Sequence, residues 1–278
     1  MSTITITATD VNKLRQITGA GMMDCKKALT EAEGDFDKAI DFLRKKGQKV
    51  AASRSDRDAK DGVVLAQTTA DNKQGVLVVV NCETDFVAKN EDFIKFVQTI
   101  TQVAIEKKPK SIDELKALPF AGNGVTIADK LNEQVGKIGE KIQLSRYEFI
   151  EAPKVVAYIH PGNRLATIVG FTKADANADV VKDVAMQVAA MAPVAVDKGD
   201  VDTATLEKEL EIARELIRQE GKPEDMVEKI AQGKLNKFYK ESTLLNQEFI
   251  KDGKKTVAQY LKESDSGLGV TAFKRYSL

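Results

Sequence analysis

One stretch constrains this chain more than any other: Gly75-Val76-Leu77-Val78-Val79-Val80-Asn81-Cys82-Glu83-Thr84-Asp85-Phe86-Val87-Ala88-Lys89-Asn90. It opens as an unbroken apolar run, the pattern of a strand buried on both sides. Polar residues then end the run. Beyond Lys89-Asn90 the period changes, and Phe93, Phe96, Val97, Ile100 and Val103 recur at spacings of three and four, which predicts a helix. Asp85 and Phe86 therefore stand where a strand hands over to a helix. Phe86 has two readings, a core residue at a helix start with Asp85 as a cap, or an exposed aromatic beside a charge, as at an interaction hot spot.

Before that stretch, residues 1–50 read as a three-helix module. Thr9 or Asp10 caps a first helix carrying Val11, Leu14 and Ile17, and Gly19-Ala20-Gly21 breaks it. A second helix carries Cys25, Ala28, Leu29 and Ala32. A third, capped by Asp35, carries Phe36, Ala39, Ile40 and Leu43 and is expected to end at Gly47. So small a core needs support from the rest of the chain. Met22-Met23 is open to two readings, packing inside the module or an adaptable apolar contact for a partner. Residues 51–61 read as a charged linker.

Residues 62–153 form a first repeat. Two strands flank the turn Asp71-Asn72-Lys73, a helix follows, and 142–149 is strand-like. Residues 154–202 echo it: Val155–Ile159, the turn His160-Pro161-Gly162-Asn163, Leu165–Phe171, then a helix from Asp179. The copies differ at the junction, because the second has Lys173-Ala174-Asp175-Ala176-Asn177 and no aromatic. That contrast favours a special role for Phe86. Residues 203–233 carry Leu206, Leu210, Ala213 and Ile217 on a coiled-coil seam, and a second helix beginning near Pro223 is expected to stop at Gly233. This charged hairpin is either a solvated decoration or an arm for a partner. Residues 234–278 return to the second repeat, with Val270 to Tyr276 as its last strand. The fold class is α+β.

Lysine plus arginine and aspartate plus glutamate number 42 each, which argues against a phosphate-driven nucleic-acid binder. Cys25 and Cys82 lie in no metal-like spacing and fit a reducing, cytoplasmic compartment. The amino terminus lacks the pattern of a secretory signal, and the run at 76–80 is far too short to span a bilayer. The single histidine, His160, has no partner motif for a metal or a nucleophilic triad, and no phosphate-binding glycine loop is present. A binding protein is expected, without cofactor or metal, rather than an enzyme.

Two segments then carry a resemblance: Thr18-Gly19-Ala20-Gly21-Met22-Met23-Asp24-Cys25-Lys26-Lys27-Ala28-Leu29, and Asn81-Cys82-Glu83-Thr84-Asp85-Phe86-Val87-Ala88. Together they resemble the two signatures of the translation elongation factor Ts family, and the likeness spans nearly the whole chain. The resemblance implies a guanine-nucleotide exchange factor for elongation factor Tu. Residues 1–50 would be a ubiquitin-associated-like module docking on the partner's GTPase domain through Leu14, Met22 and Met23. Thr84, Asp85, Phe86 and Val87 would intrude beside the nucleotide site and dislodge magnesium. His160 would face another domain of the partner, and 203–233 would be the family's coiled-coil arm. Longer members continue into a further helical segment where this sequence ends at Tyr276-Ser277-Leu278. Self-association is left open. The competing reading is a scaffold or chaperone-like binding module without exchange activity.

Overall fold

A computed structural model describes residues 5–121 and 124–278, so the reading of the first four residues lies outside the described part. The module opens with α1 (Ala8–Thr18), held by a reciprocal cap between Thr7 and Asp10. It continues with α2 (Met22–Glu31) and α3 (Phe36–Ser53). Its core is Val11, Leu14, Cys25, Ala28, Leu29, Ala32 and Ala39. The expected end of the third helix at Gly47 is wrong. α3 runs on to Ser53 because Gly47 is a buried packing position rather than a cap.

Next come β1 (Asp61–Thr68), β2 (Gln74–Cys82), the one-turn α4 (Asp85–Ala88), α5 (Glu91–Lys107), α6 (Ile112–Ala117), α7 (Ile127–Ile138) and β3 (Gln143–Glu151). The three strands form an antiparallel sheet with β2 in the middle. The second sheet is built the same way from β4 (Lys154–Ile159), β5 (Leu165–Phe171) and a strand from the carboxyl end. Between these lie α8 (Ala178–Met191), α9 (Thr203–Gln219), α10 (Glu224–Ser242), β6 (Glu248–Phe249), β7 (Asp252–Thr256) and α11 (Val257–Ser264). The closing strand is β8 (Val270–Ser277), which joins β5 as expected.

The two sheets pack face to face, and helices cover their outer faces. Val64, Ala66, Leu77, Val79, Ile150, Val155, Ala166 and Ile168 fill the layer between the sheets. Val63, Val76, Val78 and Val80 point the other way, onto Phe93, Val97 and Ile100 of α5 and onto Leu131 and Val135 of α7. β2 is thus apolar at every position from Val76 to Val80 because both of its faces are buried there. Val169 and Phe171 meet Val181, Val184 and Val188 of α8 in the second outer layer. The turns interlock the halves: the Val155 amide donates to Asn72 O (2.6 Å), and the Val64 amide donates to Asn163 O (2.7 Å).

The repeat extends to the caps. Asn90 accepts from the Asp92 and Phe93 amides at the start of α5, and Asn177 accepts from the Asp179 and Val180 amides at the start of α8. Both helices end on a left-handed residue, Lys108 or Ala192, followed by a proline. The helical hairpin α9–α10 buries Ala213, Ile217, Val227 and Ala231 along its seam, with Arg214–Glu228 and Arg218–Glu224 ion pairs beside it. The expected stop at Gly233 is also wrong. α10 continues to Ser242 and returns the chain to the body as one rod. There the buried Gln247 donates to Met191 O and Glu241 O, and Gln187 donates to Gln247 Oε1, rooting the hairpin on α8.

Candidate docking site

β2 ends at Cys82, and residues 83–89 separate it from the cap of α5. In the second repeat only 172–176 fill the same gap. The longer junction has room for the one-turn α4. Thr84 caps it, its Oγ1 accepting from the Val87 amide, and Val87 leans on the core. The four predicted residues therefore divide into two pairs. Thr84 and Val87 anchor the turn, while Asp85 and Phe86 are presented. Phe86 is 83% exposed, which decides between its two readings in favour of the free ring.

Carboxylates far apart in sequence hold this turn. Glu140, just past α7, accepts from the Glu83 amide (3.0 Å), the Thr84 amide (3.1 Å) and Thr84 Oγ1 (2.7 Å). Glu83 reciprocates by accepting the Lys141 amide (2.6 Å) and also takes Arg54 (2.9 Å) and Arg57 (3.2 Å). The Lys141 amide, then the two guanidinium groups, hold the Glu83 carboxyl below its ordinary range. Asp85 pairs with the Lys89 ammonium, at 2.7 Å between exposed side chains; this bond lowers its pKa too. An exposed pair of this kind is weak, so Asp85 can trade Lys89 for another donor at little cost. Cys82 beneath the turn is buried, and its thiol donates to Thr84 O at 3.1 Å. Burial, followed by the Glu140 and Asp61 charges, pushes that thiol up to about 12.

Under Phe86 lies a hollow of about 290 Å³ lined by Val87, Asn90, Phe93, Gln134, Lys137 and Ile138. Lys137 also lines a second hollow of about 300 Å³ between α7 and the module, with Ile17, Ala20 and Leu43. Met22 and Met23 are exposed at the start of α2, Met23 by 73%. Leu14 is a correction: it is fully buried in the module core, because positions 11 and 14 face inward while the end of α1 runs past the core. The exposed apolar residue of α1 is Ile17. His160 is exposed in the turn after β4, its Nδ1 2.9 Å from Tyr158 Oη. That turn abuts the start of β1 through Asn163 and an Arg164–Asp61 ion pair, and Asp61 is the register partner of Cys82. His160 and Phe86 thus share one end of the first sheet.

Sequence reasoning missed Ile17, Glu83, Glu140 and Lys137. Only Ile17 carried a signal, as an apolar residue at the end of its helix. The other three act through pairings across more than twenty residues. Among the described residues no helix is long and apolar enough to cross a membrane.

Exposed apolar side chains on the module, and another on a turn held by polar clamps, are features common to surfaces that bind other macromolecules. The family profile described as Elongation factor TS matches residues 83–278. Proteins named Elongation factor Ts are similar over nearly their whole length. Those of Christiangramia forsetii and Flavobacterium psychrophilum are 53% and 54% identical, over 98% and 99% of both chains. That of Amoebophilus asiaticus is 55% identical over 97% of this chain and 98% of its own. The chain belongs to the elongation factor Ts family, whose members are translation elongation factors.

Proposed function

We propose that this chain is a guanine-nucleotide exchange factor for elongation factor Tu, acting in the cytoplasm without covalent chemistry of its own. The observation that carries the reading is Phe86, a rigid ring 83% exposed on a turn clamped by Glu140. Family membership supports the role, and the resemblance supplies the partner. The three helices act as a ubiquitin-associated-like docking module through Met22 and Met23, with Ile17 beside them and Leu14 as support from below. His160 engages a second region of the partner, and α9–α10 serves as the coiled-coil arm.

Magnesium in the partner bridges nucleotide phosphates and protein oxygens. Phe86 displaces residues that support the ion, since two groups cannot share one volume. Asp85 leaves Lys89 and captures a donor released by that movement. The factor binds the nucleotide-free partner more tightly than the nucleotide-bound one, and linkage makes the effect reciprocal. Weakening nucleotide affinity by about 10⁴ needs roughly 5.5 kcal/mol of differential binding. One ring supplies a few kcal/mol, so the module and the second repeat must contribute.

The test is release of fluorescent GDP from elongation factor Tu, with this protein titrated and magnesium varied. Acceleration that fades as magnesium rises is expected. No acceleration at any concentration overturns the reading and leaves a binding scaffold.

A further inference from the structure

We propose that α7 is the mount that fixes the spacing between the methionine face of the module and Phe86, with Gly47 and Gly136 as the positioning residues that set it. The inference rests on the exchange reading above. A methyl group at Gly47 would lie 2.6 Å from Asn132 O of α7, and one at Gly136 would lie 3.1 Å from Gly47 Cα. The backbones of α3 and α7 therefore touch where both lack a side chain, inside helices that glycine weakens relative to alanine. The crossing is tight in a way that side-chain rotamers cannot adjust.

Two further groups of contacts brace it. Arg44 Nε donates to Glu133 Oε1 at 3.3 Å, and the Lys137 stem lies over Gly19, where a methyl group would come within 2.9 Å of its Cε. Beyond α3 the chain is tied down again: Arg54 and Arg57 bind Glu83, and Lys141 Nζ donates to Ser55 O (2.6 Å) and Arg57 O (2.9 Å). The same α7 floors Phe86 with Gln134, Lys137 and Ile138, and leads into Glu140, which staples Thr84. One helix thus carries both partner-facing elements. A partner gripped at two points must meet both at once, and a fixed spacing spares it the cost of ordering them.

The consequence is a split between grip and rate. With the crossing forced apart, the partner still seats on the module but the ring no longer meets its target. Gly47→Ala, whose methyl group meets the α7 backbone at 2.6 Å, is expected to lower the maximal rate of GDP release from elongation factor Tu by about tenfold or more. The half-saturating concentration is expected to stay within about threefold. In a Phe86→Ala background the same substitution is expected to change the rate by less than about twofold, since the ring through which it acts is gone. Equal effects in both backgrounds, or a change confined to the half-saturating concentration, overturn the proposal. If Gly47→Ala fails to fold, Arg44→Gln removes the Glu133 brace between α3 and α7 without touching the turn that carries Phe86. That variant must show the same dependence on Phe86, more weakly, or the proposal fails. A wild-type chain that never accelerates release removes the exchange reading first, and this inference with it.

Discussion

Phe86 and Phe93 are seven positions apart and have opposite surroundings, so truncating each separates wedge from core. Phe86 is 83% exposed and Phe93 2%. Removing a ring that is already in water changes folding stability by no more than about 0.5 kcal/mol. Removing Phe93, which packs beside Phe96 against the first sheet, costs about 3–5 kcal/mol. At roughly 2–4 °C per kcal/mol for a chain near this size, Phe93→Ala lowers the melting temperature by the order of 10 °C. Phe86→Ala leaves it almost unchanged. The functional ranking is the reverse. Seating one phenylalanine ring in a partner is worth about 1.5–3 kcal/mol, so Phe86→Ala slows GDP release by about 10- to 100-fold at a tenfold per 1.4 kcal/mol. Circular-dichroism melting and stopped-flow nucleotide release read the two quantities. A Phe86→Ala protein that melts as early as Phe93→Ala shows the ring to be packed in solution. One that melts normally and exchanges normally removes the ring from the mechanism.

Leu14→Ala should destabilise the module by about 2–5 kcal/mol, whereas Met22→Asp should leave melting unchanged and weaken association with the partner; a Met22→Asp protein that binds normally refutes the contact. Gly233→Ala should stabilise α10 by about 0.5–1 kcal/mol, because nothing lies within 4 Å of the added methyl group; a lower melting temperature would show that the position is packed. Cys82, with its thiol pushed up to about 12, should resist alkylation at pH 8 in the folded protein, and rapid labelling would refute its burial under α4. Glu83 has a depressed folded pKa, so its clamp is fully present above its ordinary 4.5 and is lost as pH falls through the lowered value. The stability advantage of wild type over Glu83→Gln should therefore hold at pH 7 and shrink below about pH 4.5; a constant difference down to pH 3 would contradict it.

β2 was legible because burial on both faces leaves no choice of residue: Val76 through Val80 cannot be anything but apolar when alternate side chains enter different layers, whereas the short β6 and β7 carry no such pattern and were not foreseen. The duplication was legible for a related reason, since each copy repeats the strand–turn–strand pattern and the apolar helix that follows it. Glycine misled twice. Gly47 and Gly233 both sit near the end of an apolar pattern, where a glycine ordinarily marks a helix stop. Gly47 is instead the contact point of a helix crossing, and Gly233 is simply carried through a helix that ends at Ser242. A glycine that ends a helix and one that lets another backbone approach look alike until the second backbone is known, and the one facing Gly47 lies far along the chain at Gly136.

The site divides along the same line. Which residues are presented was half readable: the aromatic present in one copy and missing from the other singles out Phe86 without any knowledge of its neighbours. What holds it out was not readable, because Glu140 accepts the Glu83 and Thr84 amides and Glu83 accepts the Lys141 amide across 56 to 58 residues, and each carboxylate looks alone like an ordinary surface acid. On the exchange reading proposed above, the clamp gives the ring its use. A freely swinging phenylalanine would lose the entropy of being fixed each time it entered a partner. With Glu140 tying the turn at three points and the Glu83 carboxylate taking three more donors, the fold settles that ordering beforehand. The exposed ring and the buried-edge carboxylates are then one device, and a change in either should appear in the same rate.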